Sequence, residues 1–357
     1  MNLSIHTNSR KIKLFKNWEY WPSYMFYIPI LPYAFYLGLK ARSTTFMSAV
    51  NPGIKNSGNG TESKYKTLEL IPDKYKPASI LISKQRDFDT VIKNLHKAGI
   101  DYPLIAKPDI GFRGMLVKKI YSDTVLKSYL NKYPIAIILQ EFIDLPYECG
   151  VFYYKCPNEE KGTINSLTLK SFLKVTGDGK TAIIDLIKED ERAVHYMDYI
   201  KLNDKINLNS ILEKGKDLIL SEIGNHAKGT QFINGNHLIS EKLIATFNNV
   251  KKQLDGWDYG RLDIKYNSFE ELEKGEKFVI LEINGTIAEP THIYDAEKST
   301  YFEALKTLKK HWKIIYEISK TNKQNGIKVV PFLPFWEAVY QLKEYSKDLI
   351  NLAKTNS

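Results

Sequence analysis

The sequence predicts an α+β protein built from two or three packed lobes. Its 357 residues are enough to bury a sizeable core, and a content of 43% apolar and 26% charged residues is typical of soluble globular chains. From residue 77 to residue 154, short apolar strands alternate with capped helices. Two further strand-like runs near residue 260 carry acidic side chains among apolar ones.

The charge balance and the cysteines narrow the class of protein. A net charge of +10, spread along the chain, favours anionic partners such as nucleotides or an acidic membrane surface. Nucleic acid is not expected as a partner, because no zinc-finger, basic-zipper or RNA-binding aromatic motif occurs. Cys149 and Cys156 lack metal-ligand spacing, and the N-terminus lacks a signal-peptide pattern. We therefore expect a cytoplasmic protein with reduced thiols, either free or peripheral at the inner membrane face.

An uncharged, aromatic segment runs from Tyr20 to Leu39, with basic residues on both sides. Aromatic side chains flanked by lysines are typical of the headgroup region of a bilayer, which favours peripheral contact with an anionic membrane surface. The segment can equally pack on the body of the protein or form a dimer contact. It is just long enough for a spanning helix, but Pro22, Pro29 and Pro32 argue against an uninterrupted one.

The remaining elements follow from periodicity and capping. Residues 51–64 are rich in Gly, Asn and Ser and predict a mobile loop, either a linker or a flap. Strands are predicted at residues 78–82, 102–107, 115–120, 135–140, 148–154 and 164–175. Helices are predicted at residues 87–98, 122–132, 181–188, 241–254, 300–319 and 334–353, and residues 200–235 give no clear pattern.

The most informative stretch contains two predicted strands, residues 260–266 and 277–284. Ser268 and Glu271 between them have capping-box spacing and predict a helical turn. If the strands pair, Asp263 joins Glu282 and Asn284, giving two carboxylates and an amide, a set that suits Mg²⁺ with phosphate. Arg261 shares the face of Asp263 and can reach a transferring phosphoryl group. The alternative is an ordinary hairpin with a solvated polar side.

A second group of residues has features of a phosphate site. Lys107 ends a predicted strand, and Gly111 and Gly114 follow in a loop whose backbone N–H groups can approach phosphate oxygens. An apolar strand then ends at Glu141, and Glu148 follows, so that backbone groups and a carboxylate can meet a nucleoside. Simple turns and a surface glutamate are the alternatives.

The order of these pieces resembles the ATP-grasp ligases, especially D-alanine–D-alanine ligase and its relatives. Lys64 in Glu62-Ser-Lys resembles their first lysine, and Lys107 the second. The resemblance covers residues 62–320, with a small lobe at about residues 76–140. Residues 1–61 then form the aromatic N-terminal segment in place of most of the domain that usually precedes the ATP-grasp fold, and residues 321–357 a helical extension.

The resemblance implies an ADP-forming carboxylate–amine ligase that uses ATP with one or two Mg²⁺ ions, or Mn²⁺. Arg261 and Lys107 are then catalytic, and Asp263, Glu282 and Asn284 bind metal. The residues expected to bind ATP are Lys64, Lys107, Gly111, Gly114, Gln140, Glu141, Phe142, Ile143, Glu148 and Lys174. The family tendency is to form a homodimer, and the alternative function is a non-catalytic nucleotide-binding or partner-docking protein with this fold.

Departures from the family concern the substrates. The serine-rich tip of the glycine loop is replaced by Ile110, Phe112 and Arg113, so D-alanine is not carried over as substrate. Small carboxylate and amine substrates are expected instead. The candidate substrate residues are His226, Lys228, Glu289 and His292.

Overall fold

The computed structural model describes residues 18–22, 24–111, 114–201, 206–222 and 224–355. The chain divides into two compact units, each assembled from segments that are distant in sequence. The first comprises Met1–Lys76, Leu145–Leu169 and Ile233–Leu342, and the second comprises Pro77–Asp144, Lys170–Phe232 and Lys343–Ser357. Each unit has its own apolar core.

The strands form three sheets, ordered β1-β4-β2-β3, β11-β10-β5-β6-β9 and β7-β8. In chain order they are β1 (Ser79–Ile82), β2 (Leu104–Pro108), β3 (Lys118–Ile120), β4 (Ile137–Glu141), β5 (Tyr147–Tyr154), β6 (Thr163–Ser171), β7 (Lys174–Thr176), β8 (Asp217–Ile219), β9 (Gln231–Asn234), β10 (Tyr259–Tyr266) and β11 (Phe278–Asn284). Strand β10 is buried along most of its length, and its charged residues Arg261, Asp263 and Lys265 alternate with apolar ones, so they share one face of the sheet.

The α-helices of the described residues begin mostly at Ser, Thr or Asp side chains that accept a backbone N–H, as helix N-termini require. In chain order they are α1 (Tyr24–Tyr27), α2 (Leu31–Ala41), α3 (Lys64–Glu69), α4 (Phe88–Lys97), α5 (Asp123–Lys132), α6 (Ile183–Glu189), α7 (Met197–Ile200), α8 (Glu241–Lys251), α9 (Phe269–Lys274), α10 (Tyr301–Gln324) and α11 (Phe332–Thr355).

Most predicted strands and helices are confirmed to within a few residues. The strand predicted at 115–120 is shorter, because Leu116 has a left-handed φ of 59° that a strand does not allow. The strand predicted at 164–175 is divided, with β6 in the large sheet and β7 paired with β8. Ser268 accepts the backbone N–H of Glu271, so the predicted cap of α9 is confirmed.

The predicted linker at residues 51–64 is wrong, since this loop is packed into the first unit. Its polar side chains form hydrogen bonds with backbone groups. Asn51, for example, is fully buried and hydrogen bonds with Ser57 and Tyr259. The Gly, Asn and Ser residues that are typical of a flexible linker form the hydrogen bonds of a compact loop here.

The aromatic N-terminal segment packs partly on the first unit. Phe26, Ile30 and Leu37 are buried, and Phe26 makes edge contacts with Tyr294 and Tyr301. The opposite side of α2 remains exposed. Over the described ranges, no helix combines the length and the apolar character needed to cross a membrane.

Candidate active site

The antiparallel strands β10 and β11, at one edge of the five-stranded sheet, bring the predicted acidic residues together. Asp263 lies directly opposite Glu282, and Arg261 lies directly opposite Asn284, across the ladder. A register shift between Asp263 and Ile264 adds one residue on β11, which re-aims the side chains at this end of the sheet. The site therefore sits where the ladder departs from regular pairing.

Asp263 is held by Arg261 and Asn284. Arg261 donates from Nε to Oδ1 at 3.2 Å and from Nη2 to Oδ2 at 3.1 Å, a two-point contact that fixes the carboxylate plane. Asn284 Nδ2 donates to Oδ2 at 2.9 Å. Burial acts to lower the pKa of Arg261, but the charge and hydrogen bonds of Asp263 outweigh it, and the pKa is raised overall.

Glu282 forms an ion pair with Lys64, which is carried to it by helix α3. Ser63 caps this helix by accepting the backbone N–H of Lys66. Glu62, immediately before the cap, accepts the backbone N–H of Gly60 at 2.7 Å. Burial raises the pKa of Glu62, and the nearby charge of Glu282 adds to this effect. The two carboxylates therefore both lie close to the Lys64 ammonium.

The loop at residues 51–64 positions this end of the sheet. The Ser57 and Gly58 carbonyls accept the backbone N–H groups of Thr286 and Ile287, just after β11. A Cβ on Gly58 would lie 2.6 Å from the Cα of Gly285, so the two chains pass too closely for any side chain there. Lys64 thus reaches Glu282 through a fixed loop.

The donor set fits a hard divalent cation. Asp263, Glu282 and Asn284 offer two carboxylates and one amide oxygen at the same end of two paired strands, the oxygen ligands that Mg²⁺ prefers. Within the part of the chain that the structure describes, no three His, Cys, Asp or Glu side chains are grouped so as to hold a metal. Water and phosphate oxygens would complete the coordination around the two carboxylates and the amide.

Glu289 lies beside Arg261, whose Nη1 donates to the Glu289 carbonyl at 3.2 Å. The Glu289 carboxylate accepts a hydrogen bond from Tyr27 on α1 and another, at 2.8 Å, from the Tyr294 hydroxyl. Burial raises the pKa of Glu289, and the Tyr294 hydrogen bond only partly offsets this. The aromatic N-terminal segment thus contributes a hydroxyl to the surroundings of a predicted substrate residue.

His292 belongs to a buried polar row next to this group. Its Nδ1 lies 2.6 Å from the Ser166 hydroxyl, and burial lowers the pKa of His292 to about 4. His311 nearby hydrogen bonds with Tyr259 and Asn165, and burial lowers its pKa to about 3. Both imidazoles are therefore neutral near pH 7.

In the second unit, Lys107 extends from β2 and donates to Gln140 Oε1 at 3.0 Å, while Gln140 donates to Ser79. These three residues belong to adjacent strands, so the lysine is held over the sheet. Gly111 and Gly114 border the loop, and Gly114 has a left-handed φ of 71°. Phe112 and Arg113 lie outside the described residues.

Glu141, Phe142 and Ile143, which are expected to bind ATP, also lie in the second unit. Glu141 ends β4, and its carboxylate accepts the backbone N–H of Ala78 at 3.1 Å. Lys119 Nζ lies 3.5 Å from the ring centroid of Phe142, and Ile143 follows. Glu148 belongs to the first unit, where it is buried on β5 opposite Lys265.

The other predicted residues have local partners in the second unit. Lys174 forms an exposed ion pair with Asp217 at 2.5 Å, across the β7–β8 ladder. His226 packs against Phe232. Lys228 Nζ lies 4.1 Å from the ring centroid of Tyr199, and burial lowers its pKa.

Sequence reasoning missed four residues that shape the site: Asn51, Glu62, Tyr27 and Tyr294. Glu62 directly precedes Ser63 and Lys64, so its position in the motif could have indicated a place near the site. Asn51 and Tyr27 contact partners more than 200 positions away, and Tyr294 contacts Glu289 across a short irregular stretch. No periodicity in the sequence indicates such contacts.

No family model matches the chain, and no curated protein matches it by sequence. Solved structures do match. D-alanine–D-alanine ligase from Bacillus anthracis is 16% identical with a TM-score of 0.41, covering 76% of this chain and 72% of that one.

Two other ligases are similar to a comparable degree. VanG D-Ala:D-Ser ligase from Enterococcus faecalis is 11% identical with a TM-score of 0.39 over 70% of this chain. The ATP-grasp ligase PsnB, solved with a minimal precursor, is 12% identical with a TM-score of 0.36, also over 70%. The chain spans 61% and 60% of these two proteins. The likeness to ATP-grasp ligases that the motifs predict is thus also found among solved structures.

Proposed function

We propose that the protein is an ATP-dependent, ADP-forming ligase that joins a carboxylate to an amine or a similar nucleophile through an acyl phosphate. The observation that supports this most is the set of charges at the end of β10 and β11. There, Arg261 and Lys64 lie directly against the carboxylates of Asp263 and Glu282. Phosphoryl transfer needs little else than positioned cations and carboxylates that hold a metal.

Each ion pair in this site can exchange partners when a nucleotide binds. Lys64 would leave Glu282 for a phosphate oxygen, and Glu282 would be freed for Mg²⁺. The exchange keeps every charge compensated, which matters because a buried unpaired charge is costly. One or two Mg²⁺ or Mn²⁺ ions held by Asp263, Glu282 and Asn284 would neutralise the β- and γ-phosphates.

Arg261 is the group proposed to steady the transferring phosphoryl. Its guanidinium has five N–H donors, and its contacts with Asp263 and Glu289 use three of them. The remaining two can meet the oxygens of a phosphoryl group as it passes from ATP to the substrate carboxylate. ADP leaves, and the carboxylate becomes an acyl phosphate.

The second step joins the nucleophile. The amine nitrogen attacks the acyl carbon, the bond from that carbon to the phosphate oxygen breaks, and phosphate leaves with the electron pair. Glu289 lies next to Arg261 and accepts hydrogen bonds from two tyrosine hydroxyls, which supports a role in which it would bind the amine and accept its proton. His292 is then a support residue, since it is buried and neutral.

The second unit carries the other side chains expected to bind a nucleotide. We propose that Lys107 binds phosphate, that Gly111 and Gly114 offer backbone N–H groups to phosphate oxygens, and that Glu141, Phe142 and Ile143 contact an adenine. The acid and amine would come from an amino acid, a peptide or a lipid-linked molecule at a membrane surface. Lys228 and His226 are candidate contacts for the acid.

Release of ADP and phosphate tests the proposal, with hydroxylamine as a small acceptor and a panel of amino acids and peptides as acids. Turnover that is lost in Asp263→Ala and Glu282→Ala supports it. If both variants keep full turnover, the metal assignment is wrong.

A second candidate is a non-catalytic nucleotide-binding protein. It is favoured by one observation: both metal-binding carboxylates are already neutralised by Arg261 and Lys64. This candidate predicts that ATP binds while no acceptor in the panel gives turnover.

A further inference from the structure

The aromatic N-terminal segment has an outer face that the rest of the described chain leaves uncovered. On α2 two adjacent rows point outward, each with helical spacing of four residues: Leu31, Phe35 and Leu39 in one row, and Pro32, Tyr36 and Lys40 in the other. Leu31, Phe35 and Leu39 are 57%, 62% and 61% exposed. The opposite side of the helix, with Leu37 and Gly38, is buried.

Such a helix is apolar on both its inner and its outer side. A surface helix of a soluble domain normally turns charged residues outward, and a helix that is apolar all round is covered all round. The preceding stretch continues the pattern, with Tyr24, Met25 and Ile28 also exposed. We call the exposed residues Tyr24, Met25, Ile28, Leu31, Phe35, Tyr36 and Leu39 the outer face.

The charges around the outer face are mostly positive. No Asp or Glu occurs between Glu19 and Glu62. Lys40 and Arg42 follow the face, and helix α10, which packs against α2, carries Lys306, Lys309, Lys310, Lys313, Lys320 and Lys323 against two acids. Two of these lysines contact α2 directly: Lys309 lies over the Tyr33 ring, and Lys323 donates to the Ala41 carbonyl.

We infer that the outer face docks on the surface of an anionic lipid bilayer. Exposed aromatic and aliphatic side chains with a rim of lysines match the boundary between acyl chains and acidic headgroups. A second copy of the chain fits less well, because a two-fold contact would bring the same lysines together without an acid on this segment to oppose them.

A partly exposed side chain of the same segment, Tyr27, links this docking to the candidate active site. Tyr27, which follows Phe26 in α1, donates to the carboxylate of Glu289. Docking of the outer face would therefore place Glu289 near the headgroups, where a lipid-linked amine or acid can reach it. This link rests on the proposed function, whereas the docking itself does not.

Flotation with lipid vesicles tests the docking and does not depend on catalysis. The full chain should float with vesicles of phosphatidylglycerol and phosphatidylcholine, and less with phosphatidylcholine alone or at high salt. The double variant Phe35→Ser/Leu39→Ser should bind at least about tenfold more weakly, because each large apolar side chain is worth about tenfold when fully buried. A matched control is Phe332→Ser/Leu333→Ser, on side chains of α11 that are also exposed and should leave binding unchanged.

A direct readout comes from Phe35→Trp with brominated lipids. Quenching of tryptophan fluorescence, above that seen for the parent chain with its five tryptophans, supports insertion of the outer face. The inference is overturned if the parent chain does not float, if both double variants bind like it, or if Phe35→Trp adds no quenching. It is also overturned if the chain dimerises and Phe35→Ser/Leu39→Ser makes it monomeric without any effect on flotation.

Discussion

Lys64 and Glu282 form an ion pair although 218 positions separate them in the chain. One residue begins helix α3 and the other lies on β11, and the packed loop at residues 51–64 fixes the distance between them. The pair joins a residue expected to bind phosphate with a residue expected to bind metal. We therefore interpret the ion pair as the arrangement without nucleotide, in which the two side chains neutralise each other. Nucleotide binding would separate them and make both charges available.

Replacement of Lys64 by alanine should weaken ATP binding. Removing a cation from a phosphate contact typically costs a factor of about ten or more in affinity. The dissociation constant of a fluorescent ATP analogue with Mg²⁺ measures this without knowledge of the substrates. Lys66→Ala on the same helix is exposed and serves as the control; an unchanged dissociation constant for Lys64→Ala would remove Lys64 from the ATP site.

Alanine at Asp263 or Glu282 should lower ATP turnover by about a hundredfold or more, since loss of a carboxylate ligand removes metal-borne charge neutralisation. Phosphate release in the hydroxylamine assay measures it. Glu270→Ala removes an exposed carboxylate from the neighbouring helix α9 and should leave turnover unchanged. Equal losses in all three variants would point to a general effect of charge rather than to a metal site.

Asn51→Ala should destabilise the first unit. The Asn51 side chain donates to the Ser57 and Tyr259 carbonyls and accepts the backbone N–H groups of Asp258 and Tyr259, all within 3.0 Å. Leaving these buried groups without a partner costs about 2–4 kcal/mol in the free energy of unfolding. Urea denaturation measures the loss, with exposed Asn94→Ala as the control. A change below about 0.5 kcal/mol would contradict the positioning role.

Stability should fall as the pH is lowered from about 6.5 towards 4. The folded-state pKa values of His292 and His311, about 4 and about 3, lie below the ordinary value of 6.5. In this window the unfolded chain binds more protons than the folded chain, so the free energy of unfolding rises with pH. The contribution of the two histidines to stability is complete above pH 6.5. Each histidine contributes about 1.4 kcal/mol per pH unit.

Urea denaturation at pH 7 and pH 5 tests this for His292→Gln and His311→Gln. In each variant, the difference in the free energy of unfolding between pH 7 and pH 5 should be smaller than in the parent chain by up to about 2 kcal/mol. His96→Gln, at an exposed helical position, should retain the parent difference. If the two buried variants behave like His96→Gln, the histidines do not carry the pH dependence.

Deletion of residues 1–42 should destabilise the first unit rather than merely remove a surface tail. Phe26 and Ile30 form one core with Ile293 and Leu308, and Leu37 packs in another with Ile315. Loss of such buried side chains costs several kcal/mol, whereas Phe35→Ser/Leu39→Ser alters only exposed positions. Thermal unfolding followed by circular dichroism compares the two, and an unchanged midpoint after deletion would show that the segment is dispensable for the fold.

The sequence by itself determined the local elements and the chemistry that they carry. Strand periodicity indicated β10 and β11, the Ser268 cap indicated α9, and the order of Lys64, Lys107, Arg261, Asp263, Glu282 and Asn284 indicated an ATP-grasp-like chain. These signals are available because side-chain alternation and capping act over a few residues.

Only the tertiary structure decided which side chains meet. The role of Asn51 and the contact of Tyr27 with Glu289 join segments more than 200 positions apart. The exposure of Phe35 beside the burial of Leu37 depends on which elements pack against α2. Such contacts are decided by how the whole chain closes around its cores, so a composition typical of a linker became the packed loop at residues 51–64, and a uniformly apolar segment became one with a buried side and an exposed side.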